Sequence, residues 1–222
     1  MNIDQASEDC FDRDIARHSL AVLRDEGVYR HLRFSRPESS TMRFDILTWP
    51  GCLCYTGDMG TYVFERTHDM LKFFRPRLFG PDRPARDHID LRYWAEKLQA
   101  TDKHADAFEF SLEQFREEVL DYVLSRTEDR DEWTPARLAA LNAAIKEQIL
   151  DDVEDEPSAW VALREFSFSD EHGQFAIEDW ERDCKRPTVR FIWCCLALDW
   201  AVRQYDAQCD AQRAAPARPR MA

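Results

Sequence analysis

Between Val28 and Arg66 lie four short β-prone runs separated by Pro, Gly or Ser, and in the first two of them apolar and polar residues alternate. A period of two places successive side chains on opposite faces of a strand, so this stretch reads as an antiparallel sheet with short connections. In "VYRHLRF", Val28, Arg30, Leu32 and Phe34 alternate with Tyr29, His31 and Arg33, and the run stops at Pro37 and two serines. "TMRFDIL" sets Met42, Phe44 and Ile46 against Arg43 and Asp45. "CLCYT" and "TYVFER" follow after the Trp49-Pro50-Gly51 break.

The stretch "WPGCLCYTGDMGTYVFER", residues 49 to 66, admits three readings: a phosphate-holding loop, a metal site or a tight hairpin. A phosphate loop needs backbone amides at a helix start and usually a lysine. Here there is no lysine, and the sequence runs into β-prone residues. Gly57 and Gly60 around Asp58 and Met59 suit a hairpin turn, where glycine supplies positive φ at no steric cost. Asp58 and Met59 at its tip are candidate contact residues, since loops carry function disproportionately. Cys52 and Cys54 share one face of a strand, but no second Cys/His pair with zinc spacing follows. They read as structural thiols, and no metal or other cofactor is expected.

Helices dominate the remainder. Cys10–Glu26 places Phe11, Ile15, Val22 and Leu23 near one helical face, with Gly27 as a stop. Thr67 is placed to cap a short helix carrying Met70, Leu71, Phe73 and Phe74, closed by Pro76, and "GPDRP" reads as a loop. "LRYWAEKLQA" reads as helix. Ser111 with Gln114 forms a capping-box pattern, and Thr134-Pro135 is a strong helix start. "EFSFSDEHGQFAIEDW" reads as a hairpin turning at His172-Gly173. Thr188 opens the most apolar helix, with Val189, Ile192, Trp193, Leu196 and Trp200 on one stripe and apolar residues on its other faces, which predicts a central position. The expected fold is α+β: a small antiparallel sheet in the N-terminal half packed against a helical C-terminal half with a central buried C-terminal helix. It is expected as one domain over 1–210, followed by a disordered tail at 211–222.

With 30 Lys+Arg against 43 Asp+Glu, the net charge is −13. That argues against sequence-independent nucleic-acid binding, which needs a basic footprint, and favours basic partners or no charged partner at all. The acid is concentrated: residues 101–183 hold 24 acidic and 8 basic side chains. The longest apolar run, "FIWCCLALDWAV", is too short to span a bilayer and contains Asp199. No membrane partner is expected. Seven cysteines, two of them adjacent at Cys194-Cys195, argue for reduced core thiols and a cytoplasmic location.

No nucleophile elbow or His-Glu-x-x-His pattern occurs, and the six histidines are scattered. A dyad of His31 with Cys52 or Cys54 would need to be assembled in space. No catalytic residue is assigned. The peak of the acid, "DDVEDE", sits between two helices. Asp151 and Asp152 fall near a helix C-terminus, where negative charge is mildly unfavourable. Asp155 and Glu156 lie ahead of the next helix, where it is favourable. Asp151, Asp152, Glu154, Asp155 and Glu156 are therefore the candidate partner-binding surface.

Residues 30–75, including "LTWPG…GDMGTYVFER", and residues 191–207, "FIWCCLALDWAVRQYDA", resemble a family of uncharacterised phage and prophage proteins. Together the two stretches make up about a quarter of the chain, and the resemblance brings no catalytic residues with it. It implies a mobile-element context, in which compact acidic proteins bind and block host machinery such as CRISPR surveillance complexes and restriction enzymes. The expected function is a phage-encoded, non-enzymatic inhibitor of a host nucleic-acid-binding defence complex in the bacterial cytoplasm. Its acidic face would occupy the basic surface of that complex without touching nucleic acid itself. The alternatives are a small enzyme or ligand-binding protein with a pocket near the Gly57–Gly60 turn and Cys52/Cys54, and a prophage scaffold or regulatory protein. An exposed remnant of the C-terminal helix would allow a homodimer.

Overall fold

The computed structural model describes residues 3–75, 86, 88–104, 106–128, 130 and 132–214. Its architecture is α+β, and the chain divides into two compact units, Met1–Ala107 with Pro187–Ala222, and Phe108–Arg186.

The first unit opens with α1 (Gln5–Ile15), started by Asp4, whose side chain accepts from the Ser7 amide. Six strands follow in a simple meander: β1 (Ser19–Glu26), β2 (Tyr29–Ser35), β3 (Phe44–Trp49), β4 (Cys52–Gly57), β5 (Gly60–Glu65) and β6 (Leu98–Thr101). Every neighbouring pair is antiparallel. Two short helices, α2 (Met70–Phe74) and α3 (Leu91–Ala95), lie between β5 and β6. The long α7 (Val189–Ala214) returns to this unit.

One sheet face is wholly buried: Leu32, Phe34, Phe44, Ile46, Leu53, Tyr55, Tyr62 and Phe64 have no exposed surface. Its rings meet α7 directly. Phe34 lies edge-on to Trp200 at 5.4 Å, Phe44 to Trp193 at 5.6 Å, and Tyr62 sits 5.5 Å from Phe191. From Trp193 to Asp199 every residue of α7 is buried, as the all-round apolar sequence predicts. Buried Asp199 is matched by His88 at 2.9 Å and by Arg203 one turn on, at 3.1 Å. Polar ties also pin the helix, among them Arg75 with Asp206 at 2.7 Å, Trp193 Nε1 donating to Asp14, and the Tyr205 hydroxyl donating to Asp25.

The second unit has β7 (Phe108–Phe110), α4 (Leu112–Thr127), α5 (Pro135–Ile145) running into a π-helical turn (Lys146–Leu150), and α6 (Glu156–Glu165). The hairpin of β8 (Ser167–Asp170) and β9 (Gly173–Ala176) follows, then β10 (Lys185–Pro187), which pairs with β7. Its own core gathers Phe115, Val119, Leu141, Ile145, Ile149 and Leu163 among others. Helix starts match the sequence: Ser111 accepts from the Gln114 amide and Thr134 from the Arg137 amide. The reciprocal half of the box at Ser111 is missing, because Gln114 Nε2 donates to the Asp183 carbonyl instead.

The structure departs from the sequence reading at six places. Residues 19–26 form β1 rather than the end of a helix from Cys10. Gly27, at φ +66, lets the chain reverse, and pairing with β2 outweighs local helix propensity. The helix at 70–74 is capped by Asp69, not Thr67; its expected stop at Pro76 and the "GPDRP" loop lie outside the described residues. Of "LRYWAEKLQA" only Leu91–Ala95 is helical, and Leu98–Thr101 pairs with β5. Val189, assigned to the buried stripe of α7, is 70% exposed. The hairpin of residues 167–176 turns through Glu171 and His172, with Gly173 paired to Asp170. Helix α7 continues to Ala214, so residues 211–214 of the expected tail are helical, and 215–222 lie outside the described residues.

Candidate functional site

Gly57 pairs with Gly60, so Asp58 and Met59 form a two-residue turn between β4 and β5. Close approach sets the glycine requirement at Gly57: a Cβ there would stand 2.4 Å from the Arg43 carbonyl oxygen and 2.7 Å from Phe44 Cβ. The Asp58 amide donates to that same carbonyl at 3.2 Å. Its carboxylate accepts from the Met42 amide at 2.7 Å, and Met42 holds φ +58. Asp58 thus ties the turn to the start of β3. Its amide and its carboxylate each serve the loop, which is the hairpin reading of this stretch.

Cys52 and Cys54 do share a face, both half-buried. Burial raises both thiols, and Glu65 adds to the effect at Cys52. A nucleophile or metal-binding thiol needs the opposite shift. His31 faces Leu47, and Leu47 faces Cys54, so two strand spacings separate the histidine from that thiol. His31 Nε2 instead meets Asp45 at 2.7 Å, and Arg33 grips the same carboxylate at 2.8 Å. Burial raises the Asp45 pKa, but hydrogen bonds from Arg33 and His31 outweigh it and hold the carboxyl below its ordinary value. Among the described residues no group of three His, Cys, Asp or Glu side chains is placed to hold a metal ion. Nor, among those residues, is any helix long and apolar enough to cross a membrane.

The acidic block occupies the link between the π-helical turn and α6, and the structure sorts its members. Asp155 is the N-cap of α6. Its side chain accepts from the Ser158 amide at 2.9 Å, and Ser158 Oγ accepts from the Asp155 amide. Hydrogen bonding with Ser158, side chain first and amide second, holds the Asp155 carboxyl below its ordinary value. Glu156 begins the helix, where negative charge meets the positive end of the macrodipole, and it pairs with Lys185 at 3.4 Å. Asp151, Asp152 and Glu154 are exposed, and no ion pair reaches them among the described residues. So two of the five carboxylates help to build α6, and three face solvent uncommitted.

The surroundings of α6 were not legible as a site from the sequence. On one flank an open groove of about 680 Å³ is lined by Asp152, Asp155, Val161, Ala162 and Glu165. On the other a socket of about 80 Å³ is walled by apolar Phe110, Phe115, Ala159, Trp160, Leu163 and Trp180, and Glu156, Arg182, Asp183 and Lys185 line it as well. Between them Trp160 and Val161 stand 53% and 45% exposed. The available signal was "AWV" in the middle of a short amphipathic helix: Ala159 and Leu163 mark the inner face, which puts Trp160 and Val161 outside.

The sharpest electrostatic feature is how charge divides between the units. Phe108–Arg186 contains 22 acidic and 9 basic side chains, a net of −13. The rest of the chain contains 21 of each, a net of zero. No protein-family model matches the chain, nor does any curated protein or solved structure at a significant level.

Proposed function

We propose that this chain is a phage-encoded interaction protein that inhibits a host nucleic-acid-binding defence complex, such as a CRISPR effector, by placing its acidic unit in the basic groove of that complex. The observation that carries the reading is the segregation of charge: the whole surplus of −13 resides in 79 residues, while the other unit has none. A field of one sign over one unit steers encounter with a basic surface and repels nucleic acid from the same place. Asp151, Asp152 and Glu154 supply carboxylates that no ion pair among the described residues consumes, while Asp155 and Glu156 add charge at the head of α6. The mobile-element setting rests on the resemblance of residues 30–75 and 191–207.

The test is capture of host complexes by the tagged chain, run beside a variant with Asp151, Asp152 and Asp155 changed to Asn and Glu154 and Glu156 changed to Gln. Asn caps a helix about as well as Asp, so α6 survives the change. The expected result is a nucleic-acid-handling complex that the wild type retains at low salt, loses as salt rises and surrenders to competing DNA or RNA. A complex held equally well by the neutralised variant would refute the reading.

A further inference from the structure

Trp160 and the socket beside it are hard to explain as structure alone. Helix α6 is ten residues long and already buries Ala159 and Leu163 in the core of its unit. Its outward face needs only solubility, yet it presents a half-exposed indole followed by an exposed valine in the most acidic part of the chain. A large exposed apolar side chain beside a largely apolar hollow is the informative exception on a charged surface. Tryptophan is also the residue most enriched where binding energy concentrates.

The dimensions and charges select the occupant. At about 80 Å³ the socket is well below the roughly 300–1,000 Å³ of small-molecule sites, but it has room for one inserted side chain. Nucleic acid is repelled by the −13 of this unit, and so is the same unit of a second copy. What remains is a protein segment of opposite charge. The rim already shows the pairing it would make: Glu156 is held by Lys185 at 3.4 Å, a contact that an incoming cation could take over.

We propose that α6 is the anchor of the interface, where the socket beside Trp160 receives one aliphatic or aromatic side chain of a partner segment whose flanking Lys and Arg residues meet Glu156 at the socket and Asp152 on the opposite flank of α6. This rests on the acidic-surface reading and gives it an anchor. Charge steers the segment in; the buried side chain holds it there. Exposed charge pairs supply little affinity individually, whereas a desolvated apolar contact with Trp supplies most of it.

The probes are three synthetic peptides of identical Lys/Arg content with Leu, Phe or Ser at the centre, titrated against the full chain by fluorescence anisotropy. The Leu and Phe peptides are expected to bind at least tenfold more tightly than the Ser peptide. Trp160→Ala should erase that preference, so that the Leu and Phe peptides bind no more tightly than the Ser peptide. Lys185→Ala should tighten all three by releasing Glu156. The five-carboxylate variant should weaken all three together. Trp160 is half exposed, so its removal leaves the core intact, and the far-ultraviolet circular dichroism of the variant checks this. Equal binding of the three peptides, sensitive to the carboxylates but not to Trp160, would overturn the anchor and leave the acidic surface standing. No binding of any peptide at low salt would overturn both.

Discussion

Replacing Gly57 by alanine tests whether the turn that ties β3, β4 and β5 together is limited by space. A Cβ at this position would lie 2.4 Å from the Arg43 carbonyl oxygen, and ordinary contact begins near 3.4 Å, so about 1 Å of clearance must be found. Neither neighbour can easily give way. The Arg43 carbonyl is held by the Asp58 amide, and Phe44 is fully buried, stacked on Phe34 at 4.8 Å and on Tyr55 at 5.4 Å. Displacement therefore passes into the aromatic core, and overpacking of this kind costs about 1–3 kcal/mol. For a chain of this size each kcal/mol lowers Tm by about 2–4 °C, so the expected drop is about 2–12 °C by differential scanning calorimetry. Gly27→Asn is the control. Gly27 sits at φ +66 with nothing within 4 Å, and asparagine tolerates that backbone, so its Tm should hardly move. If Gly57→Ala melts with the Gly27→Asn control, close approach is not what requires glycine at 57.

Two further outcomes follow from titratable groups. Asp45 has a depressed folded pKa, so its contribution to stability is present above the unfolded value of about 3.9 and is lost as pH falls through the lower folded value. Asp45→Asn should therefore flatten the acid limb of stability below about pH 4 in urea titrations, and an unchanged limb would show that the Arg33–Asp45–His31 cluster contributes nothing. Burial pushes the Cys184 thiol up to about 11 and keeps Cys194 and Cys195 protonated. Alkylation of native protein at mildly alkaline pH should thus spare these three, fall first on the half-buried Cys10 and Cys209, and reach Cys52 and Cys54 more slowly because burial raises them too, with peptide mapping as the readout. Early modification of Cys194 would place α7 outside the core.

The sheet was legible because its strands carry a period of two and its turns carry glycine; α7 was legible because it is apolar on every side. Where prediction failed, distant partners decided. "SLAVLRDE" has no strong period of either kind, and only its pairing with β2 makes it a strand. "KLQA" continues a helical pattern until β5 offers an open edge to pair with. At the candidate site the acidic block was visible as a run of charge. Its division into two carboxylates that start α6 and three that do not depends on where the helix begins, which local sequence indicates only through Asp155 and Pro157. The socket beside Trp160 draws walls from β7, α4, α6 and residues 180–185, positions dispersed over about seventy-five residues, and no local pattern encodes such a meeting.

The unequal division of charge itself has a cost that can be measured. Self-repulsion of a net −13 within 79 residues opposes compaction, whereas the other unit of the same chain carries no such surplus. Salt should separate the two consequences. Raising ionic strength from about 0.01 M to 0.15 M shortens the Debye length from about 30 Å to 8 Å. Repulsion among Asp151, Asp152, Glu154 and the other exposed carboxylates is then screened, and the second unit should become more stable, with a higher urea midpoint. Over the same range its attraction to a basic partner should fall. A binding surface maintained against folding predicts these opposite signs, and the five-carboxylate variant should reduce both salt effects together. If salt leaves the midpoint unchanged, the acidic side chains are far enough apart to be harmless. The charge would then be ordinary surface solvation, and the proposed interaction would lose its main support.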